Sequence, residues 1–403
     1  MAKGVRSERL LKLRSVPSLL PEVIANSISI VGIGALSALG QDIEMHFRAI
    51  SRGQAGLRRL SELWGNESPL AENPAAWIAP RELLTHRKWS PASMAALHVA
   101  KEAVAGAGWM AGELADAALV VGTSRGNAAG WLGEWPGRRP FKLMAASNTI
   151  HSEPATAVSI ECGIYGPNHV VSSGCSAGLD ALGLAKMLLD SGQATRALVV
   201  AVDLPLVPLL LDNYAASGLL GSSEKLNPFS AHTDGFVPGE GAAAIALSKE
   251  ERGKVEIGYF SNNSDGRDPV GVPKDGGRSP ELIAGAVKRT GLPSAICPHA
   301  TGTKVQARAE RMIFQEAFRD HADISFHLLK PYFGHTIGAS GLLESAVLAR
   351  FMAESQLPPN LKGTGGPGDW PVPDAVKECG GPVFKLAHGM GGHNALAVFL
   401  LNL

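Results

Sequence analysis

The chain has 403 residues, which suits two domains or one large one, and 45% of them are hydrophobic against 18% charged, the composition of a globular protein with a large core. Lys plus Arg and Asp plus Glu are equal at 37 each, so no net field points to nucleic acid or to an anionic membrane surface. No apolar run is long enough to span a bilayer, and the four cysteines (Cys162, Cys175, Cys297, Cys379) show neither CxxC nor zinc spacing, which reads as a reduced cytoplasmic protein with no metal site.

Residues 1–26 carry Lys3, Arg6, Arg9, Lys12 and Arg14 without a signal-peptide apolar core, and read as an N-terminal extension, with an amphipathic docking arm as the alternative. A strand is predicted over 27–34. Residues 53–81 are rich in turn formers and read as a surface loop. A helix over 91–106 and a strand over 117–122 follow. The apolar run from His169 to Val171 enters a small-residue turn, and a helix spans 176–190. After a strand over 196–203, residues 204–221 are apolar without clean periodicity, which suits a covering loop or a partner-facing segment. Strands at 241–248 and 254–261 precede a helix over 280–290. A strand over 294–299, a helix over 305–319, a strand over 324–329 and a helix over 340–354 come next. A loop rich in Gly and Pro occupies 361–374, and strands over 382–388 and 394–401 end the chain. Alternation of this kind predicts βαβ units and mostly parallel, buried strands.

Motifs repeat in the same order. Gly174-Cys175-Ser176-Ala177-Gly178-Leu179 is echoed by Gly334-His335-Thr336-Ile337-Gly338-Ala339-Ser340-Gly341-Leu342. Val120-Val121-Gly122-Thr123 resembles Pro298-His299-Ala300-Thr301-Gly302-Thr303, and the segment from Gly239 to Leu247 resembles that from Gly391 to Leu400. The echoes predict a duplicated α/β unit, with one half over 27–250 and the other over 251–403. Their two elbows should face each other across a pseudo-twofold axis, bringing Cys175 to His335.

The chemistry concentrates at those elbows. Cys175 stands where the unpaired amides of a helix start would lower its thiol pKa and favour the reactive thiolate, although a small buried cysteine fits the same pattern. His299 lies just past a strand end, where open α/β sheets place ligands. Lys330 precedes His335 by five residues at another predicted strand end, and Glu344 lies on the following helix; the two can tune the histidine or simply form an ion pair. The glycines around Met390 (Gly389, Gly391, Gly392) would let a backbone amide approach a ligand, as an oxyanion hole requires. One thiol with two histidines from separate strand ends suits acyl transfer followed by carbon–carbon bond formation.

From about Ser27 to the C-terminus the chain resembles the β-ketoacyl synthases of the thiolase-like superfamily. The motifs that carry the resemblance run in the family's order: the Cys175 segment; Asn227-Pro228-Phe229 with Asp234-Gly235-Phe236-Val237-Pro238-Gly239-Glu240-Gly241; His299-Ala300-Thr301-Gly302-Thr303; Lys330 with Gly334-His335; and Gly389-Met390-Gly391-Gly392. The resemblance implies an α/β fold with duplicated halves in five layers, α-β-α-β-α. It implies Cys175 as the acylated nucleophile, His299 and His335 as supports for decarboxylation of a malonyl thioester, and Lys330 tuning them with Glu344. The amides of Cys175 and Met390 would form the oxyanion hole. Thr301, Thr303, Met390 and Gly391 would contact the phosphopantetheine arm of an acyl carrier protein. No cofactor is implied. A homodimer is expected, with a heterodimer containing a ketosynthase-like partner as the alternative. Short segments at Cys175 and at Asp203-Leu204-Pro205 with Pro208 resemble type II polyketide ketosynthases more than housekeeping fatty-acid ones.

The chain departs from the family at several positions. Ala300 stands where a Gly is usual, Gln306 and Ala307 where an acidic residue is usual, Met390 where a gating Phe is usual, and His388 and His393 where an aromatic and a Thr are usual. Arg267 and Asp268 would put charge near the pocket or the dimer interface. These departures keep two other functions open: a non-decarboxylating acyltransferase, and a scaffolding subunit that uses residues 204–220 as an interface.

Overall fold

The computed structural model describes residues 27–132 and 147–402; the expectations for residues 1–26 lie outside the described residues. Ten strands form the main sheet system: β1 (Ile28–Ser37), β2 (Ala118–Gly122), β3 (Asn168–Val171), β4 (Arg196–Asp203), β5 (Gly241–Ser248), β6 (Val255–Ser264), β7 (Ala295–Cys297), β8 (Ser325–Phe326), β9 (Val383–Gly389) and β10 (His393–Leu401). Their lateral order is β8-β7-β9-β10-β6-β1-β5-β4-β2-β3. From either edge inward, each set of five stands as its third, second, fourth, fifth and first strand. The pairing senses repeat as well. β2 is parallel to β3 and β4, β7 is parallel to β8 and β9, and the other neighbours are antiparallel. The two five-stranded sheets touch through one short ladder, Ile28, Ser29 and Ile30 against Ile257, Glu256 and Val255.

The sheets are therefore mixed rather than mostly parallel as expected. A parallel neighbour needs a crossover helix, whereas the short Met390–Gly391–Gly392 turn reverses the chain directly from β9 into β10.

Side-chain alternation along the strands builds three cores between five layers. In β4, Ala197, Val199 and Ala201 face a middle layer made by α4 (Ala177–Asp190) and α8 (Ser340–Met352). Leu198, Val200 and Val202 face α2 (Pro91–Ala107) and α3 (Glu153–Cys162) on the outside. In β10, Ala395, Ala397 and Phe399 face the same middle layer, while Leu396 and Val398 face α6 (Ser279–Thr290) and α7 (Lys304–Phe318). Burial on both faces explains why these strands read as continuous apolar runs. The α-β-α-β-α order matches the expected fold.

Three local expectations need correction. The 53–81 segment is not only surface loop: Leu60, Ala75 and Trp77 are buried in a cluster that also holds Cys175. Residues 204–221 contain α5 (Pro208–Ala216), whose Leu211 and Tyr214 join that cluster, while Leu209 is exposed. The 324–329 strand shrinks to β8, because Lys330–Phe333 turns at once into a short helix that begins with the lysine. An α1 helix (Ile43–Ser51) also escapes the sequence reading; Asp42 caps it by accepting from the Met45 amide at 2.6 Å.

Candidate active site

Strand β3 ends at Val171, and a 3-10 turn, Gly174–Ser176, leads into α4. Gly174 has φ 63°, which a residue with a Cβ rarely adopts. Asp180, one turn into the helix, pins the elbow: Oδ2 accepts from Ser173 and from Ser176 Oγ at 2.8 Å, and Oδ1 accepts from Asn262 Nδ2 at 2.9 Å. The second elbow is built alike, with a 3-10 turn over Ile337–Ala339 entering α8. The buried Asp203, at the end of β4, ties the second elbow to the loop after β2. It accepts from Thr123 Oγ1 at 3.0 Å, from the amides of Ser124 and Arg125 at 2.9 and 2.8 Å, and from the Gly338 amide at 2.8 Å.

Closure of the two elbows brings His335 Nε2 to 3.2 Å from Cys175 Sγ, across 160 residues of sequence. Ser340 Oγ holds the other ring nitrogen, Nδ1, at 3.0 Å. His299 stands edge-on to His335 with ring centroids 5.4 Å apart. Its amide and that of Ala300 donate to Glu310 on α7 at 2.7 and 2.9 Å. The sequence reading missed Glu310. Its signal is the pair Gln306 and Glu310, four apart and therefore on one face of α7, the buried one. Ala300 has φ 43°, which gives a physical reason for the Gly usual there.

Cys175 Sγ and one nitrogen from each of His299 and His335 lie within 4.8 Å of one another. This spacing would admit a soft ion. The positive charge that Lys330 projects onto both histidines works against a dication, and no metal role is assigned to them.

Behind the histidines, Lys330 Nζ contacts Glu344 Oε1 at 2.6 Å, and both side chains are fully buried. Glu344 Oε2 contacts a second lysine, Lys385, at 2.5 Å. Lys385 was invisible as a site residue in the reading of motifs, although a lysine inside Val383-Phe384-Lys385-Leu386-Ala387 is the signal for it.

A cavity of about 220 Å³ opens above Cys175, His299 and His335. Thr301, Thr303 and Met390 line it, as do Tyr214, Leu219, Phe236, Gln306 and His388; Gly391 is not among the lining residues and instead shapes the turn with φ 90°. A Cβ on Gly174 would meet the Met390 amide nitrogen at 3.5 Å, and one on Gly389 would meet that of Cys175 at 3.4 Å. The two amides named for the oxyanion hole therefore stand beside each other across two glycines. His388 is buried on the cavity wall. Its Nδ1 accepts from Gln306 Nε2 at 2.8 Å and its Nε2 lies 3.0 Å from Ser279 Oγ. His393 is exposed. Arg267 pairs with Asp275 at 3.0 Å, and Asp268 accepts from the Val270 amide at 2.8 Å and from the Gly271 amide. Both charged groups are exposed and shape the loop whose Val270, Gly271 and Val272 form part of the cavity rim.

Burial dominates the electrostatics. It pushes the Cys175 thiol up to about 11, with Asp203 adding to it and Lys330 and Arg125 opposing. The expected lowering at the helix start is thus overturned, because desolvation of a thiolate that is 8% exposed outweighs the elbow amides. Burial first, and Lys330 next, hold His299 and His335 well below the ordinary imidazole range. His388 is pushed down to about 3 by burial and by the two lysines. Burial raises Glu310 to about 7 against its two amide donors. All three imidazoles are therefore neutral at pH 7.

Comparison with known proteins gives the same direction. The sequence pattern of the beta-ketoacyl synthase N-terminal domain matches residues 25–253, and that of the C-terminal domain matches residues 255–364. The chain is similar to 3-oxoacyl-[acyl-carrier-protein] synthase 2 of Rhizobium meliloti (strain 1021), 27% identical over 377 residues that make up 83% of this chain and 88% of that one. It is 32% identical over 219 residues to the tetracenomycin polyketide synthase ketoacyl synthase alpha subunit of Streptomyces glaucescens, covering 50% of this chain and 51% of that one. Its fold is similar to that of a type II polyketide synthase ketosynthase solved with its acyl-carrier protein and a bound hexaketide, with TM-score 0.80, 22% identity, and coverage of 93% of this chain and 99% of that one.

Proposed function

The chain belongs to the β-ketoacyl synthase family, acyltransferases that condense acyl and malonyl units, and we propose that Cys175 is the nucleophile of that condensation. The observation that carries this reading is the meeting of Cys175 Sγ with His335 Nε2 at 3.2 Å on the floor of a mostly apolar cavity, with His299 beside them. In the first step Cys175 attacks an acyl thioester. The acyl carbon–sulfur bond to the carrier breaks, and the thiol proton ends on the departing carrier thiol. In the second, a malonyl thioester loses its carboxylate as CO2, and the electron pair of the broken bond forms an enolate. The neutral rings of His299 and His335 hold the thioester oxygen as it gains charge. The enolate carbon then attacks the Cys175-bound acyl carbon. The amides of Cys175 and Met390 receive the tetrahedral oxyanion, and the Cys175 thiolate leaves and regains a proton.

Thr301 and Thr303, whose hydroxyls lie 3.3 Å apart on the cavity wall, would guide a phosphopantetheine arm, and an acyl carrier protein is the partner this implies. The substrates carry the reactive thioester, so no further cofactor is required. A homodimer is supported by the exposed edge strand β3, and a cytoplasmic site by four unbridged cysteines. Among the described residues no helix is long and apolar enough to cross a membrane.

The test is intact-protein mass spectrometry after incubation with a panel of acyl carrier thioesters and then with the malonyl thioester. We expect a covalent adduct that disappears in Cys175→Ala, followed by CO2 release and a β-ketoacyl product. Condensation at the wild-type rate by Cys175→Ala would overturn the assignment. An adduct without CO2 release would instead identify a simple acyltransferase.

A further inference from the structure

Along β9, Val383 and Ala387 point into the middle layer, and so does the residue between them at the same parity, Lys385. Its side chain is 0% exposed. A lysine here is costly to bury, and a paired buried charge is often no better for stability than an apolar side chain of similar volume. Its presence therefore calls for a reason other than packing.

Its contacts supply one. The ammonium reaches Glu344 Oε2 at 2.5 Å and donates to the Leu386 carbonyl at 2.6 Å and the Pro298 carbonyl at 3.3 Å, which uses all three of its N–H groups. The first partner is the carboxylate whose other oxygen holds Lys330. The third is the peptide oxygen immediately before His299. One side chain thus braces both the lysine and the histidine loop behind the reacting atoms. Glu344 alone faces two ammonium groups, so the trio keeps a net positive charge directly behind the site. The other titratable groups that feel its charge are Cys297, whose Sγ lies 3.8 Å from Glu344 Oε2, Glu310 on α7, and the imidazoles of His299, His335 and His388.

We propose that Lys385 is a positioning residue of the condensing centre, fixing the carboxylate that holds Lys330 and the peptide that carries His299, and adding positive potential where the thioester oxygen gains negative charge. This rests on the ketosynthase reading above. Loss of the ammonium should slow decarboxylation more than self-acylation, since only the former builds charge on that oxygen. It should also let the neighbouring imidazoles accept protons more readily, because a nearby cation that disfavours their charged form is gone.

The experiment compares full-length wild type, Lys385→Met and Lys385→Arg. For Lys385→Met we expect kcat for malonyl-thioester decarboxylation to fall at least about tenfold, with KM within about twofold and the Cys175 acyl adduct still forming. The acid limb of the pH–rate profile should move to higher pH, and Lys385→Arg should recover most of the rate. A folded Lys385→Met with wild-type kcat and an unshifted profile would overturn the proposal. Should Lys385→Met not fold, Lys385→Gln, which keeps amide donors without the charge, takes its place under the same criteria. If wild type itself neither acylates nor releases CO2, the ketosynthase reading fails separately. NMR titration of the His299 and His335 rings in wild type and Lys385→Gln then decides: an upward shift in the variant supports the positioning role, and identical titrations overturn it.

Discussion

Cys175 and His335 show how a residue's chemistry follows from where the chain puts it. A thiol pushed up to about 11 is protonated at neutral pH, so the resting pair is a neutral thiol beside a neutral imidazole. The sign is plain: raising the pH increases the thiolate fraction all the way toward 11. Alkylation of the free protein by iodoacetamide, followed by mass spectrometry at Cys175, should therefore accelerate about tenfold per pH unit between pH 7 and 9. A plateau beginning below pH 8 would instead indicate a preformed thiolate–imidazolium pair. Ala300, held at φ 43° next to His299, is a second residue whose meaning is conformational. The backbone must turn left-handed there so that both amides reach Glu310.

The elements α4 and α8 decide whether the elbows meet. They cross through glycines. A Cβ on Gly178 would come within 2.8 Å of the Gly338 carbonyl oxygen, and one on Gly341 within 2.8 Å of the Leu179 backbone nitrogen. Neither obstacle is a flexible side-chain tip, so the helices themselves would have to separate. Gly341→Val should cost about 1–3 kcal/mol in thermal or denaturant unfolding, the usual range for overpacking, and should also depress acyl labelling of Cys175. Gly380→Ala is the comparison, because nothing lies within 4 Å of its added Cβ; its unfolding should stay within about 0.5 kcal/mol of wild type. Equal stability of the two variants would refute the close-crossing account. The motif echo already placed the two elbows face to face, but not the close crossing of the helices through these glycines.

For the whole molecule, the duplicated strand order leaves β3 at one end of the sheet system, paired only with β2 among the described strands. Its first two residues, Asn168 and His169, are exposed. An open edge of this kind invites strand addition by a second copy. Light scattering coupled to size exclusion should give a mass of about twice 42.0 kDa, and a monomer at every concentration would remove this support for a dimer.

Most of the strand and helix succession, the duplication and the five motifs were legible in the sequence, because periodic burial and turn chemistry act over a few residues, whereas α1, α3 and α5 were not. Thus Arg196–Asp203 and Gly241–Ser248 are strands at the predicted residues, and Cys175, His299, Lys330 and His335 were legible as a set from motif order. What those residues experience depends on the packed fold. The 3.2 Å approach of Cys175 to His335, the direction of the thiol's shift, the clasp of Glu310 on the His299 loop and the sharing of Glu344 by Lys330 and Lys385 all join segments far apart in the chain. Burial and charge at a site are sums over such distant neighbours, so local pattern names the participants and the packed fold sets their chemistry.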